Sequence, residues 1–259
     1  MAQRTVWITG ASSGIGQEFA RRYARLGFRL ILTARRTARL EALARQLGAP
    51  CRILPADLAQ PGECARLCAA LEGERLDIFI NNAGFGVCGR AWENDPAREQ
   101  ELVQVNVAAM HTLFQFALRK MQAQGHGLIL NVASSAGLLP GGPYMAAYYA
   151  SKAYVASLTR GVAQELREAH SPVRVCALCP GPVDTEFNDR AGVVFALKGI
   201  TPQQCVDEAF RGIRRGQGII VPSALMRLCT VGQRLLPDAL LLPIVARQQR
   251  KKLGPGETG

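Results

Sequence analysis

Tyr148 and Lys152 stand four residues apart in the stretch Tyr-Tyr-Ala-Ser-Lys. On a helix, residues at this spacing lie on the same face, so the phenol and the ammonium would project together. A free tyrosine has a pKa of about 10, roughly 3 units too high for proton transfer at neutral pH. A cation at ~4 Å in an effective dielectric of ~20 supplies about 4 kcal/mol, which offsets that difference. The pair is therefore a candidate general acid or base, and the alternative is a solvated helical face.

A glycine-rich turn follows the first predicted strand, where Thr9–Gly16 reads Thr-Gly-Ala-Ser-Ser-Gly-Ile-Gly and leads into a helix. Gly10 permits the tight turn, Gly14 lets the backbone approach phosphates, and Gly16 lets helix and strand pack closely. The helix N-terminus adds free N–H groups and a positive dipole end. The motif predicts a pyrophosphate cradle for a dinucleotide rather than an ordinary tight turn. We assign to this cofactor site Gly10, Ser12, Ser13, Gly14, Ile15 and Gly16.

Two cations, Arg35 and Arg36, follow the second predicted strand. Folds that bind NAD usually place an Asp or Glu here to hold the ribose 2′-hydroxyl. A cation can instead pair with a 2′-phosphate, and the missing carboxylate removes a repulsion. The pair therefore predicts NADP(H) in preference to NAD(H); the alternative is a surface pair that begins the next helix.

The elements that must position these residues alternate along the chain. Short β-branched runs occupy residues 5–9, 29–33, 51–54, 77–80, 127–132, 173–178 and 218–221. Helix-like stretches lie around residues 15–26, 37–47, 61–71, 97–123, 146–168 and 201–214. Such alternation predicts an α/β fold of the Rossmann type: a doubly wound parallel sheet of about seven strands with helices on both faces. The strand runs are apolar throughout, as expected for strands covered on both sides.

Composition favours one large domain with an appended segment. The 259 residues are 48% hydrophobic and 20% charged. We expect a dinucleotide-binding catalytic domain over residues 1–222 and a Leu/Arg-rich C-terminal segment over residues 223–259. The eight scattered cysteines suit reduced thiols in the cytoplasm, and no apolar run of ~18 residues predicts a spanning helix. Cys176 and Cys179 should face opposite sides of a strand, and no second Cys or His pair completes a metal site.

The net charge of +11 favours anionic partners, namely a phosphorylated cofactor or a lipid surface. Nucleic acid is not expected, because no nucleic-acid module signature is present. The C-terminal segment alternates Leu clusters with Arg, which fits packing on its own domain, a partner subunit or a peripheral contact with an anionic membrane. Pro237 and Pro243 interrupt any long helix there, which favours packing.

The chain resembles the short-chain dehydrogenase/reductase family over roughly residues 4–222. Each motif is modest alone, but seven in the same order on the matching elements are specific. They are Thr9–Gly16, Asp57-Leu58, Asn81-Asn82-Ala83-Gly84, Asn106, Ser134-Ser135-Ala136-Gly137, Tyr148-x-x-x-Lys152 and Pro180-Gly181. The family's frequent basic residue within the glycine turn is absent, so the NADP(H) preference rests mainly on Arg35.

The resemblance implies a role for each matching residue. Tyr148 would be the general acid/base, and Lys152 would hold the nicotinamide ribose and lower the pKa of Tyr148. A serine would hydrogen-bond the substrate carbonyl, and Asn106 would anchor a water that relays protons to Lys152. The remaining cofactor contacts would come from Asp57 and Leu58 at the adenine, Asn82, Ala83 and Gly84 on the adenosine side, and Pro180, Gly181, Val183 and Thr185 toward the nicotinamide.

Two positions in the catalytic set have alternatives. The Ser-x-Ala-Gly pattern selects Ser134, whereas the family's usual spacing before the tyrosine selects Ser135. We prefer Ser134, because an extra residue is tolerated more easily in the Pro/Gly loop 138–143 than at a strand end. Tyr149 is three residues before Lys152 and is expected to point elsewhere on the helix and pack in the core.

The function expected from these features is an NADP(H)-dependent oxidoreductase that interconverts a carbonyl and an alcohol, acting on CH–OH donors. The apolar segments 138–145 and 185–200 favour an apolar small molecule over a charged one, although they could instead pack as a lid. The family implies a homodimer or homotetramer through the two long helices, 97–123 and 146–168. The competing hypothesis is a catalytically silent nucleotide sensor, which would have no need to keep Asn106, Ser134, Tyr148 and Lys152 together.

Overall fold

The computed structural model describes residues 3–186 and 199–250 and contains one seven-stranded parallel sheet with the order β3-β2-β1-β4-β5-β6-β7. The strands are β1 Thr5–Thr9, β2 Arg29–Thr33, β3 Cys51–Ile53, β4 Ile78–Asn81, β5 Gly127–Val132, β6 Val173–Leu178 and β7 Ile219–Ile220. The chain runs outward from β1 to β3 and then crosses to β4 on the other side of β1. A crevice for ligands forms where the carboxyl ends of β1 and β4 diverge.

Helices cover both faces of this sheet in the described residues. They are α1 Gly14–Arg25, α2 Thr37–Leu47, α3 Glu63–Ala70, α4 Pro96–Val103, α5 Met110–Gln124, α6 Ala146–Glu168, α7 Pro202–Arg214, α8 Ala224–Gly232 and α9 Asp238–Arg250. A π-helical turn, Gln104–Ala109, joins α4 to α5, so the single helix predicted over 97–123 is three segments. Short 3₁₀ turns occupy Ser135–Leu138 and Gln233–Leu235.

Two apolar layers hold the helices against the sheet. One contains Trp7, Phe79 and Phe114 and packs α3 to α6; the other contains Phe19 and Leu32 and packs α1, α2 and α7. Successive strand residues alternate between the layers, because side chains alternate across a strand. Cys176 and Cys179 fall in different layers, which confirms that they face opposite sides. The fold class is confirmed in full.

The C-terminal segment folds back onto the domain. Leu241, Val245 and Gln249, spaced by four residues, form the buried face of α9. Pro237 precedes α9, but Pro243 lies within it and does not end it. Pro243 removes one backbone hydrogen bond from the helix. The buried side chains of Leu241 and Val245, on either side of Pro243, stabilise the helix in spite of this loss. None of the helices in the described ranges has the length and apolarity to cross a membrane.

Candidate active site

A cavity of about 490 Å³ opens at the carboxyl ends of the strands. Its wall is formed by the glycine turn, the ends of β2, β4, β5 and β6, and the start of α6. The predicted site residues on its wall are Gly10, Ser12, Ser13, Gly14, Ile15, Arg35, Arg36, Asp57, Leu58, Asn82, Ala83, Gly84, Ser134, Tyr148, Lys152, Pro180, Gly181, Val183 and Thr185. Gly16 and Asn106 are not on the wall. Predicted site residues separated by up to 175 positions in the sequence, from Gly10 to Thr185, therefore share one cavity.

The glycine turn has the geometry of a phosphate cradle. Gly10 and Gly14 adopt φ of 65° and 54°, which favours glycine. A Cβ at Gly16 would lie 2.4 Å from the carbonyl oxygen of Gly10, so only glycine lets α1 approach β1 this closely. Asn82 stabilises the turn from outside, since its Nδ2 donates to the carbonyl of Thr9 at 2.9 Å. The side chain of Asn82 thus braces the turn, a role that the sequence did not indicate.

The two arginines after β2 have different partners. Nη1 of Arg35 lies 3.0 Å from Oε1 of Glu101 and 3.9 Å from Oδ1 of Asp57. Arg36 reaches the glycine turn, where its Nη2 donates to Oγ of Ser12 at 3.2 Å, while its Nη1 donates to Glu186 at 2.9 Å. Arg36, more than Arg35, therefore lies beside the cradle.

Glu186 bridges two cations at the edge of the cradle. It pairs with Arg36 and Arg39, and these hydrogen bonds hold its pKa below the usual value. Glu186 is exposed enough to water that this ion pair is weak. A phosphate, with more charge and three acceptor oxygens, would be a stronger partner for the same guanidinium.

Ser134 and Tyr148 both lie on the cavity wall, and Ser134 is close enough to lower the pKa of Tyr148 against the effect of burial. Oγ of Ser134 also donates to the carbonyl of Pro180 at 3.3 Å and accepts from the backbone N–H of Ala136 at 3.1 Å. Ser135 contributes its backbone N–H to the same Pro180 carbonyl at 2.8 Å. Ser134 and Ser135 both line the cavity, and the choice of Ser134 stays a prediction.

Burial sets the protonation of the Tyr148–Lys152 pair. It raises the pKa of Tyr148 to about 12, against the lowering effect of the neighbouring Ser134 hydroxyl, and lowers the pKa of Lys152 to about 8. Nζ of Lys152 donates to the carbonyl of Val132 at 3.0 Å and lies 5.8 Å from the centroid of the Tyr148 ring. Desolvation is the largest cause of both shifts, because burial penalises the charged form of each group. That Lys152 lowers the pKa of Tyr148 stays a prediction.

Asn106 lies behind the wall, in the π-helical turn. Its Nδ2 donates to the carbonyl of Phe85 at 2.8 Å and to Oγ of Ser151 at 3.1 Å, and its Oδ1 accepts from the N–H of Phe85. A Cβ at Gly84 would lie 2.9 Å from Oδ1 of Asn106 and 3.2 Å from Nζ of Lys152. Glycine at position 84 therefore lets the backbone pass close to both the amide and the ammonium.

Several wall residues were missed by the sequence reasoning. Met226, Gln248 and Gln249 of the C-terminal segment line the cavity, and so does Tyr149, whose hydroxyl accepts from Nε2 of Gln249. Tyr149 is buried as expected, but it lines the same cavity as Tyr148, with the ring centroids 6.3 Å apart. The four-residue spacing of Leu241, Val245 and Gln249 was the available signal for an inward face.

The predicted substrate-side segments are only partly described. Leu139 and Met145 line the cavity, whereas Leu138 and Tyr144 are not on its wall. The other residues expected there, Phe187, Val193, Val194, Phe195 and Leu197, lie outside the described residues.

The sequence matches the short chain dehydrogenase family model over residues 4–192. A galactitol 2-dehydrogenase (L-tagatose-forming) from Cereibacter sphaeroides is 40% identical over 186 residues, which cover 70% of this chain and 71% of the relative. Both findings span most of the segment that contains the cavity.

Two solved structures share the fold and bear different nicotinamide cofactors. A short-chain dehydrogenase from Sphingobium yanoikuyae in complex with NADPH is 34% identical, with a TM-score of 0.80 over 92% of this chain and 95% of that one. A short-chain dehydrogenase/reductase from Burkholderia phymatum in complex with NAD is 27% identical, with a TM-score of 0.79 over 88% and 92%. With the cradle and the seven ordered motifs, these matches show that the chain belongs to the short-chain dehydrogenase/reductase family, oxidoreductases that act on CH–OH donors with NAD(P)⁺.

Proposed function

We propose that this protein interconverts a carbonyl and an alcohol on an apolar small molecule with NADP(H), using Tyr148 as general acid/base. The observation that carries the proposal is that Ser134, Tyr148 and Lys152 lie together on the wall of the cavity that also contains the glycine cradle. A substrate oxygen placed beside both hydroxyls would receive two hydrogen bonds.

The cavity fits a dinucleotide at one end and a reacting group at the other. The glycine turn would hold the pyrophosphate, because side chains at Gly10, Gly14 and Gly16 would collide with neighbouring atoms or strain the backbone. When bound, the cofactor supplies or accepts the hydride at the carbonyl carbon. Lys152, which lines the cavity between the two ends, would hold the nicotinamide ribose.

Tyr148 and Ser134 handle the proton and the oxygen. Burial raises the pKa of Tyr148 to about 12, so the phenol is protonated at neutral pH but is a weak acid. It would donate its proton during carbonyl reduction once negative charge develops on the substrate oxygen. Ser134 would hydrogen-bond the oxygen as its negative charge develops. Asn106 and Lys152 both approach Gly84 closely, and a water held by Asn106 would pass protons through Lys152 toward Tyr148.

The NADP(H) preference follows from the cations after β2. Arg35 and Arg36 line the cavity, and the residue that ends β2 is Thr33 rather than an acid. A 2′-phosphate between these guanidinium groups would gain charge-assisted hydrogen bonds that a 2′-hydroxyl cannot make.

An apolar substrate follows from the side chains at the far end of the cavity. Phe85, Leu139, Met145 and Met226 line the same cavity as Tyr148. Charged groups line the cofactor end, whereas this end offers apolar surface, which a desolvated ketone, aldehyde or alcohol would occupy at little cost.

Substituting Tyr148 by Phe tests the function directly. We expect Tyr148→Phe to lower kcat for carbonyl reduction at least about 100-fold, because the proton donor is removed. The dissociation constant for NADPH should stay within about twofold of wild type, since the phenol oxygen acts on the substrate.

Tyr154→Phe is the matched control, because it removes a phenol from the exposed face of the same helix. Its turnover should equal that of wild type. A Tyr148→Phe enzyme that keeps substantial activity would refute the mechanism, and cofactor binding with no turnover of any carbonyl compound by wild type would favour the nucleotide-sensor hypothesis.

We also propose that the C-terminal segment contacts an anionic bilayer surface from a cytoplasmic location. Of the eleven large apolar side chains exposed in the described residues, seven lie in this segment: Leu225, Leu228, Val231, Leu235, Leu236, Leu240 and Ile244. The segment also carries Arg227, Arg247 and Arg250, with Asp238 as the one acid between residues 223 and 250. Exposed apolar groups flanked by cations match an anionic lipid surface better than a neutral partner.

Assembly as a homodimer or homotetramer is proposed through α4, α5 and α6. Val103 on α4 and Tyr154 on α6 are exposed, and Oη of Tyr154 hydrogen-bonds Nδ1 of His111 on α5 at 2.8 Å. These adjacent helices thus present apolar and aromatic surface that a second copy could cover. Light scattering of the purified full chain would measure the assembly.

A further inference from the structure

The carboxylate of Glu186 lies beside the glycine cradle, where an anionic group of the cofactor is expected to bind. Glu186 accepts hydrogen bonds from Nη1 of Arg36, at 2.9 Å, and from Nη1 of Arg39. These hydrogen bonds hold the pKa of Glu186 below its usual value, so the carboxylate is charged at neutral pH. An anion that belongs to the chain therefore pairs with the same guanidinium groups that a phosphate would use.

The position of Glu186 is set by its neighbour in the chain. Thr185 lines the cavity and packs on the glycine turn, since a Cβ at Gly14 would lie 3.0 Å from Cγ2 of Thr185. Glu186 is 150 residues from Arg36 in the sequence, so only the fold brings this acid to the cradle. The contact thus belongs to the cofactor end of the cavity and differs from a pair between neighbouring residues of one helix.

Each nitrogen of the Arg36 guanidinium has an acceptor. Nε and Nη2 donate to Oγ of Ser12 at 3.4 and 3.2 Å, and Nη1 donates to Glu186. A phosphate binds a guanidinium through two of its nitrogens, so it would share or replace one of these acceptors. Ser12 is neutral and can stay beside a phosphate, whereas the charged Glu186 would be repelled by it.

We propose that Glu186 competes with the 2′-phosphate of NADP(H) for Arg36 and Arg39, and thereby limits how strongly the site prefers NADP(H) over NAD(H). This competition rests on the proposed function and adds a specificity-determining residue to its cofactor site. The side chain of Glu186 is 42% exposed, so it can turn into water when the phosphate arrives. Only NADP(H) is weakened, because a 2′-hydroxyl does not need the two guanidinium groups.

Two other roles for Glu186 make different predictions. If Glu186 oriented Arg36 for the phosphate, its removal would weaken the binding of NADP(H). The hydrogen bonds to Ser12 argue against this role, because they orient the guanidinium without Glu186. If the contact were an ordinary surface ion pair, its removal would change the affinity for neither cofactor.

The test measures the contribution of the 2′-phosphate with two small nucleotides. Adenosine 2′,5′-bisphosphate carries this phosphate, 5′-AMP does not, and neither contains a nicotinamide. Calorimetry on the full-length protein gives both dissociation constants at low ionic strength and at pH 8, where a phosphate monoester with a pKa of about 6 is doubly charged. Glu186→Gln should bind the bisphosphate about three- to fivefold more tightly than wild type does, and its affinity for 5′-AMP should stay within about twofold.

Two controls isolate the competition. Glu93→Gln removes a carboxylate from an exposed pair with Arg90, away from the cavity wall, and should bind both nucleotides as wild type does. In a protein that carries Arg36→Ala and Arg39→Ala, the further change Glu186→Gln should alter the affinity for the bisphosphate less than about twofold, because the groups competed for are gone.

The proposal would be overturned if Glu186→Gln bound the bisphosphate no more tightly than wild type, or gained equally for both nucleotides. An equal gain in the protein that lacks both arginines would also overturn it. If Glu186→Gln gained affinity for the bisphosphate but wild type bound both nucleotides equally, the competition would be supported and the NADP(H) preference of the proposed function contradicted. No difference between the nucleotides in any of these proteins would overturn both.

Discussion

Lys152 places an ammonium in the wall of the cavity with a backbone carbonyl as its hydrogen-bond acceptor. Burial acts on it and on Tyr148 in opposite directions, because one is charged when protonated and the other when deprotonated. The residue types and their spacing predicted that Tyr148 and Lys152 form a pair, whereas burial decided the direction in which each pKa shifts. A lysine of this kind is retained at a cost to stability, which fits a functional role.

Replacing Lys152 by Met should therefore stabilise the cofactor-free protein while removing its activity. The pKa of Lys152 is lowered from 10.5 to about 8, so holding the ammonium costs about 3 kcal/mol below pH 8. That cost fades as the pH rises from 8 to 10.5, because the folded protein releases the proton first. Above the unfolded pKa of 10.5 the lysine is neutral in both states, and no ammonium has to be buried. We expect Lys152→Met to raise Tm by several degrees at pH 6 and by much less at pH 10.

Thermal unfolding at the two pH values measures this effect, and Lys120→Met, at a half-buried position on α5 outside the cavity wall, provides the control. NADPH affinity and kcat should both fall in Lys152→Met, because the ammonium is proposed to hold the ribose. A Lys152→Met protein that is less stable than wild type at pH 6 would show that the aliphatic packing, rather than the buried charge, dominates.

At the scale of elements, parallel strands explain why distant motifs converge. The carboxyl ends of β1, β2, β4, β5 and β6 lie along one edge of the sheet, and each is followed by residues of the cavity wall. The alternation of strands and helices was sufficient to predict this edge. The sequence did not show that the two arginines after β2 have different partners. Arg36 donates hydrogen bonds to Ser12 and Glu186, which are far from it in the chain.

That loop should control the choice between the two cofactors. We expect wild type to bind NADPH at least about tenfold more tightly than NADH, from charge-assisted hydrogen bonds to the 2′-phosphate. Arg35→Ala and Arg36→Ala should each reduce the ratio, with Arg36→Ala the larger effect because its guanidinium contacts the glycine turn. Titrations followed by cofactor fluorescence give the affinities.

Arg45→Ala, an exposed substitution in the last turn of α2, should leave the ratio unchanged. The affinity for NADH should also remain near the wild-type value in every variant, since the phosphate contact is absent. Equal affinities for NADPH and NADH in wild type, unaltered by either substitution, would show that Arg35 and Arg36 do not determine the cofactor preference.

At the scale of the whole molecule, the C-terminal segment has one face on the cavity and one face exposed to solvent. Its inward face places Met226, Gln248 and Gln249 on the cavity wall, and its outward face exposes seven large apolar side chains. The net charge of +11 would draw this exposed surface toward anionic lipid. A membrane surface would also present an apolar substrate close to the cavity.

Co-sedimentation with vesicles tests this surface. The full-length protein should pellet with vesicles rich in phosphatidylserine and much less with phosphatidylcholine alone, and added salt should weaken the binding. Leu228→Ser combined with Leu235→Ser should lower the bound fraction severalfold, because these two side chains are 71% and 83% exposed. The variant should keep wild-type turnover.

Leu26→Ser removes an exposed leucine at the C-terminal end of α1 and should pellet like wild type. Equal binding to both kinds of vesicle, or no binding to either, would contradict the proposal. If light scattering showed the double variant losing a subunit contact instead, the surface would be an interface between copies of this chain.

The sequence by itself determined the fold class and the cofactor cradle, because strand–helix alternation and a glycine turn depend on local backbone physics. It also identified the Tyr148–Lys152 pair and the order of motifs around it. Only the tertiary structure decided that desolvation opposes the tuning of that pair, that Asn82 braces the cradle, and that Gln249 and Tyr149 complete the cavity. Those features arise from burial and from contacts between residues far apart in the chain, which no local pattern encodes.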